Sequence, residues 1–90
     1  MTVKYRLAEH VVCRKTNTEL RMLFDRNKGV MYEMNESASA IVDILEREPA
    51  TAESLTASLL DEFDAPLEDV QADVARTLDD FLEAGLVVAE

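Results

Sequence analysis

The chain has 90 residues, 48% of them hydrophobic, which is enough to close one small core but leaves no room for a second domain. Its one cysteine, Cys13, has no partner for a disulfide or a zinc site. No apolar run approaches the ~20 residues of a membrane span, and the start lacks the form of a signal peptide. These features predict one domain over residues 1–90 in a reducing cytoplasmic setting, without a membrane, metal or cofactor partner.

The net charge of −10 is divided unevenly along the chain. Residues 1–32 carry seven Lys and Arg against three acidic residues, a net of +4. Residues 33–90 carry two arginines against sixteen Asp and Glu, a net of −14. We therefore expect the two halves to attract each other, and the acidic half to repel phosphate backbones.

The first third of the chain predicts an antiparallel meander of three strands. Short runs of β-branched and apolar residues alternate there with turn formers. Residues 16–18 separate the first two runs, and Asn27-Lys28-Gly29 supplies the residues that a short hairpin requires. The predicted strands are His10–Arg14, Leu20–Phe24 and Val30–Met34.

From Asn35 onward the hydrophobic period changes from two to about 3.6, which predicts three helices. Asn35 is a good N-cap for the first helix, which Pro49 ends. Thr51 caps the second, and the third runs from Pro66 to Gly85. The resulting order β-β-β-α-α-α predicts the α+β class. The residues expected to face the core are Ala38, Ile41, Ile44 and Leu45, then Leu55, Leu59, Leu60 and Phe63, then Leu67, Val70, Val74, Leu78, Phe81 and Leu82.

The sequence predicts that the protein is not an enzyme. His10 and Cys13 are three residues apart on a predicted strand, so they lie on opposite faces and do not form a dyad. Acidic neighbours such as Asp79 and Asp80 point roughly 100° apart on a polar helix surface. With two glycines in all, the chain has no glycine-rich phosphate loop.

Two other classes of protein are alternatives. A winged-helix DNA-binding regulator has the same order of elements, but helix 51–63 has no basic residue and helix 66–84 has only Arg76 against six acidic residues. Glu53-Ser54-Leu55 resembles the Asp-Ser-Leu site at which acyl carrier proteins are modified, which would make Ser54 the modified residue. Carrier proteins are helical throughout, so the strands argue against that class.

One family matches the order of several motifs. The stretch LFDRNKGVMYEMNESASAIVDIL, with residues 61–87, resembles the PqqD-like peptide chaperones of pyrroloquinoline quinone biosynthesis and the wider group of RiPP recognition elements. The similarity runs from about residue 11 to residue 87. The motifs that carry it are Tyr32-x-Met34-Asn35, the pair Asp73-Val74, and Leu82-x-x-Gly85-Leu86.

The resemblance implies a winged-helix-like domain of three strands and three helices with a non-catalytic role. Members bind the leader segment of a ribosomally made precursor peptide and present the core segment to a modifying enzyme, of the radical-SAM, lasso-cyclase or leader-protease type. The leader would pair with strand 30–34 in the cleft with helix 66–84. The implied contact residues are Val30, Met31, Tyr32, Glu33, Met34, Val70, Asp73, Val74, Thr77, Leu78 and Phe81.

The residues of this cleft leave three questions open. Val74, Leu78 and Phe81 also fit a plain core line, whereas Thr77 and Asp73 lie beside that line. The Asp73 carboxylate is equally suited to accepting a hydrogen bond from a donor or basic side chain of the leader and to forming an ion pair with Arg21. In the third strand, proline at one of two adjacent residues, 31 and 32, should block a leader strand, and proline at the other should damage the hairpin.

Overall fold

The computed structural model describes residues 3–90, which form two small sheets and three helices. The meander is made by β2, β3 and β4, and helices α1, α2 and α3 follow it. The elements in chain order are β1 (Lys4–Leu7), β2 (Val11–Lys15), β3 (Arg21–Asp25), β4 (Val30–Glu33), α1 (Glu36–Arg47), β5 (Ala50–Thr51), α2 (Ala52–Glu62), α3 (Leu67–Ala84) and β6 (Val87–Ala89).

The sheet β2-β3-β4 confirms the predicted antiparallel meander, with β2 and β4 at its edges. The predicted first and second strands begin one residue too early, and the predicted third strand ends one residue too late. Turn hydrogen bonds set these limits: the Val11 N–H donates to the Ala8 carbonyl over 3.1 Å, and the Thr16 N–H donates to the Leu20 carbonyl over 2.9 Å. Periodicity shows where a strand lies but not where a turn begins.

A second sheet, with the order β5-β1-β6, was not predicted. Its strand β1 pairs antiparallel with β6 through Tyr5 and Ala89, and with β5 through Tyr5 and Ala50. The strands are two to four residues long, and their partners lie far away in the chain. A short window of sequence contains no sign of such pairing. The α+β class is confirmed, with three short strands added to the expected order.

The three helices begin and end as their capping residues predict. The Asn35 side chain accepts the Ala38 N–H over 2.8 Å at the start of α1. Thr51 and Ser54 form a capping box at the start of α2. Gly85 ends α3 with φ of 75°, a left-handed conformation that a residue without a Cβ adopts at low cost.

One hydrophobic core lies between the inner face of the meander and the helices. Leu23, Ile41 and Leu55 are fully buried at its centre. The expectation that Leu67 and Leu82 face this core is wrong, because their exposed fractions are 50% and 38%. Leu67 sits in the first turn of α3, and Leu82 lies to one side of the stripe that runs from Val70 to Phe81.

The expected attraction between the basic and acidic parts of the chain is visible in two places. The guanidinium of Arg21, on β3, pairs with Asp43 and lies 2.9 Å from the Glu46 carboxylate, both on α1. Arg6, on β1, pairs with Glu90 near the end of the chain. The ion pairs therefore join each sheet to an acidic segment that follows it in the sequence.

Candidate functional site

Among residues 3–90, no strand pairs with the outer edge of β4, so this edge offers unpaired backbone groups. The Met34 N–H donates to the Arg21 carbonyl over 3.0 Å, on the side of β4 that faces β3. Because backbone groups alternate between the two sides of an antiparallel strand, Tyr32 and Val30 also bond toward β3. The N–H and C=O groups of Met31 and Glu33 therefore point away from β3, toward the open edge.

The side chains of β4 follow the same alternation. Val30, Tyr32 and Met34 share the inner face, as expected, and Met31 and Glu33 share the outer face. Val30 and Met31 are 41% and 48% exposed, Tyr32 is half-buried, and Met34 belongs to the core. An apolar strand this exposed at a sheet edge is a template for a further strand.

The turn between β3 and β4 is held by the buried carboxylate of Asp25. Its Oδ1 accepts the Asn27 N–H over 2.9 Å and the Lys28 N–H over 3.0 Å. The Gly29 N–H donates to the Asp25 carbonyl over 2.8 Å, and Gly29 has φ of 69°. This network fixes the direction in which β4 leaves the turn.

The tip of the same turn reaches the end of α3. The Lys28 ammonium donates a hydrogen bond to the Ala84 carbonyl over 3.1 Å, at the negative end of the helix dipole. The start of β4 and the C-terminal end of α3 are therefore tied together.

At the other end of β4, a serine from α1 completes the sheet ladder. The buried Ser39 hydroxyl accepts the Arg21 N–H over 2.8 Å and donates to the Met34 carbonyl over 3.4 Å. The hydroxyl thus bridges the two strands where a direct backbone bond would otherwise stand. Together with the Asn35 cap, it holds the junction of β4 and α1 in place.

Asp25 also gives the turn a dependence on pH. The hydrogen bond from the Lys28 N–H, against the opposing effect of desolvation and with help from the Asn27 N–H, holds the pKa of this carboxyl below its ordinary value. The Asp25 Oδ2 lies 3.5 Å from the His10 Nε2 and accepts no hydrogen bond from the part of the chain that the structure describes. The ionised form is therefore the one that the folded turn favours.

We expect Asp25→Asn to destabilise the protein at neutral pH, and the difference from the wild type to shrink in acid. Because the folded pKa is depressed, the stabilisation is complete above the unfolded pKa of about 4 and is lost as pH falls through the folded pKa. Urea unfolding between about pH 6 and pH 3 measures it. Asp80→Asn, at an exposed helix position, is the control. An Asp25→Asn difference that is constant across this range would contradict the assignment.

On α3, the structure separates the predicted contact residues into two groups. Asp73 and Thr77 are half-buried beside the core line. Asp73 lies 2.7 Å from Arg76, so the alternative ion pair with Arg21 is wrong. The side chains at 5% exposure or less, which face the core, are Val70, Val74, Leu78 and Phe81.

Sequence reasoning missed Asp25 and Ser39 as residues that hold the strand. Asp25 stands at the start of Asp-Arg-Asn-Lys-Gly, a pattern typical of an aspartate that caps its own turn, so a signal was present. Ser39 gave no comparable signal, because its two partners are Arg21 and Met34, and the first is 18 residues away.

The remaining reactive side chains have structural partners. Burial, against the hydrogen bond from Arg21, raises the pKa of the Cys13 thiol and disfavours the nucleophilic thiolate. The Ser54 hydroxyl accepts the Thr51 N–H over 3.1 Å in the capping box, which assigns it a structural role. Within residues 3–90, His, Cys, Asp and Glu side chains form no group of three or more that is suited to a metal ion. None of the described helices has the length and apolar content needed to cross a membrane.

A surface depression of about 610 Å³ is lined by residues outside β4. It is formed by the β2–β3 turn, α1 and the end of α2. None of the eleven residues implied by the family resemblance lines it. Its walls mix apolar side chains, such as Leu20 and Ile44, with charges of both signs, such as Lys15 and Glu62.

The fold and the free edge define the class of protein: a small α+β domain whose meander ends in an open, largely apolar edge strand. The family model for coenzyme PQQ synthesis protein D (PqqD) matches residues 21–87. The chain therefore belongs to the PqqD family. No curated protein sequence matches it.

Two solved structures share this fold. The first, TbiB1 in complex with the TbiA(β) leader peptide, has a TM-score of 0.83 at 17% identity, over 91% of this chain and 93% of that one. The second, a lasso peptide synthetase B1 complexed with the leader peptide, has a TM-score of 0.78 at 21% identity, over 93% of this chain and 96% of that one. Nearly the whole of each chain is covered in both comparisons.

Proposed function

We propose that the protein is a non-catalytic adaptor that binds the leader segment of a ribosomally synthesised precursor peptide. The leader adds as a strand to the free edge of β4. The observation that carries the proposal is this edge, with outward backbone groups at Met31 and Glu33 and exposed side chains at Val30 and Met31. Membership of the PqqD family and structural similarity to two leader-peptide complexes support it.

Backbone pairing alone does not give sufficient affinity. Each leader residue that becomes ordered loses roughly 1–2 kcal/mol of backbone entropy, and each ladder bond returns only about 0.5–1.5 kcal/mol. Two or three leader side chains, buried at about 1.5–3 kcal/mol each, are needed to bring the affinity to the micromolar range. The side chains of the leader therefore supply affinity and specificity.

The contacts proposed for these side chains lie on β4 and α3. A leader strand paired with Met31 and Glu33 directs alternate side chains to the inner face, beside Val30 and Tyr32. Thr77 and Asp73 are half-buried α3 residues next to the core line. Val70, Val74, Leu78 and Phe81 pack in the core and act as support for α3, because they have almost no free surface.

The bound leader is presented to the enzyme that modifies the precursor or removes its leader, in the cytoplasm. Radical-SAM enzymes, lasso cyclases and leader proteases are the candidate partners. A rigid strand end suits this role, because the Asp25 turn and the Ser39 bridge fix the position of the leader relative to the rest of the domain.

Fluorescence anisotropy of a labelled leader tests the proposal. The leader comes from the short precursor gene beside this one, with a scrambled leader as the control. We expect saturable binding at micromolar concentration or tighter, absent for the scramble. Absence of binding by the folded protein would contradict the adaptor role for that precursor.

Thr77→Arg tests the position of the leader on α3. A long charged side chain beside the proposed leader site should weaken leader binding by at least about tenfold, the equivalent of 1.4 kcal/mol. Ala75→Arg is the matched control, because Ala75 is exposed and lies about 200° around the helix from Thr77. Equal affinity of both folded variants would exclude Thr77 from the leader site.

A further inference from the structure

The outer face of the meander carries an apolar patch that shares only Met31 with the proposed leader site. The register aligns two cross-strand rows on this face, Val12-Phe24-Met31 and Arg14-Met22-Glu33. Leu23, between Met22 and Phe24, is fully buried on the opposite face, which confirms that both rows point away from the core. We define the outer patch as Val12, Met22, Phe24 and Met31.

The outer patch is not part of the protein core. Met31 is 48% exposed, Val12, Met22 and Phe24 are half-buried, and none of the four packs against the core cluster. Arg14 and Glu33 flank the patch, and both are exposed. Among the residues that the structure describes, neither has an ion-pair partner.

The two rows are self-complementary under a two-fold rotation. Consider a second copy placed face to face on the first. The two-fold axis lies midway between the two sheets and runs parallel to β3. The axis puts β2 of each copy over β4 of the other and preserves the rows. Arg14 then faces the other copy's Glu33, twice over, and Val12 faces Met31. Met22 and Phe24 each meet their own equivalent. A two-fold interface requires a surface that matches itself in this way.

We propose that the chain forms a weak face-to-face dimer through the outer patch, with reciprocal Arg14–Glu33 ion pairs. The packing is that of two aligned sheets. Three strands spaced ≈ 4.8 Å apart give a footprint well below that of a stable dimer, so association is reversible and depends on concentration. The free edge of β4 lies in the plane of its sheet, so its backbone groups stay open to a leader strand in the dimer, and only the Met31 and Glu33 side chains are shared by the two interfaces.

Sedimentation equilibrium of the chain alone, at physiological salt, tests the proposal without any leader. The expected result is a monomer–dimer equilibrium with dimer present at protein concentrations on the order of 0.1–1 mM. Salt near 0.15 M limits the repulsion between two chains of net charge −10. A folded protein that stays monomeric up to the highest of these concentrations would overturn the proposal.

Charge reversal identifies the interface. Arg14→Glu alone and Glu33→Arg alone each place like charges opposite one another twice, and should weaken the dimer by about five- to tenfold. The double variant Arg14→Glu/Glu33→Arg restores opposite charges and should recover wild-type association. Phe24→Ser should abolish the dimer.

Two outcomes would overturn this geometry. In the first, the double variant fails to recover wild-type association. In the second, Met31→Pro, and not Phe24→Ser, abolishes the dimer, as expected if two copies paired through their β4 edges. Because no leader is present in these measurements, failure here leaves the adaptor role unaffected.

Discussion

Met31→Pro is expected to abolish leader binding while leaving the fold intact. The Met31 N–H points to the free edge, so its loss removes a donor from the leader ladder and none from the β3–β4 hairpin. A leader carbonyl left without this donor costs about 1–3 kcal/mol, and the proline ring also obstructs the approaching strand. Leader binding should therefore weaken at least tenfold, as measured by fluorescence anisotropy.

Tyr32→Pro and Met31→Ala are the matched controls. Tyr32 bonds toward Leu23, so proline at this position removes a bond of the hairpin and should lower the stability of the protein itself. Met31→Ala keeps the N–H and should retain most of the leader affinity. If Met31→Pro, folded and compared at equal concentration, binds the leader as the wild type does, strand addition at β4 is wrong.

Leu23→Ala is expected to lower the free energy of unfolding by about 2–5 kcal/mol. Leu23 is fully buried on the inner face of the central strand, opposite Tyr32 of β4 and Cys13 of β2. Truncation leaves a cavity beneath the central strand, next to β4. A domain of this size has roughly 5–13 kcal/mol of stability, so the loss is a large fraction of the total. Urea denaturation measures it.

Leu67→Ala is the control with the same chemical change. Leu67 is 50% exposed in the first turn of α3, so its truncation should change the free energy of unfolding by no more than ~0.5 kcal/mol. Similar losses for both variants would show that Leu23 is not at the centre of the core.

The parts of this fold that the sequence predicts are those set by local chemistry. Asn35 and Thr51 cap helices because their side-chain oxygens accept N–H groups within the same turn. Gly85 ends α3 because the left-handed conformation there strains other residues. The three strands of the meander follow one another through short turns, so their order and pairing follow from the same local signals.

The parts that it does not predict depend on contacts between distant residues. The pairing of β1 with β6 joins the two ends of the chain, and no local pattern marks it. The Ser39 bridge joins α1 to Arg21, which lies 18 residues earlier in the chain. Burial of Val74, Leu78 and Phe81 depends on how α3 meets the other elements. For that reason the sequence left their role open.

The direction of the backbone groups along β4 also depends partly on local pattern and partly on distant contacts. Alternation alone predicts that one of residues 31 and 32 faces the free edge, but it does not say which. The Met34–Arg21 hydrogen bond decides the question in favour of Met31, and Ser39 maintains the register at that end. The junction of β4 and α1 thus fixes which backbone groups are available to a partner strand.

The most direct test of strand addition is amide hydrogen exchange, followed by NMR, with and without the leader. In the free protein the Met31 and Glu33 amides should exchange quickly, and the Tyr32 amide, bonded to β3, should be protected. Saturating leader should protect Met31 and Glu33 and leave Tyr32 unchanged. Saturable leader binding that leaves the Met31 and Glu33 amides unprotected would contradict strand addition to β4.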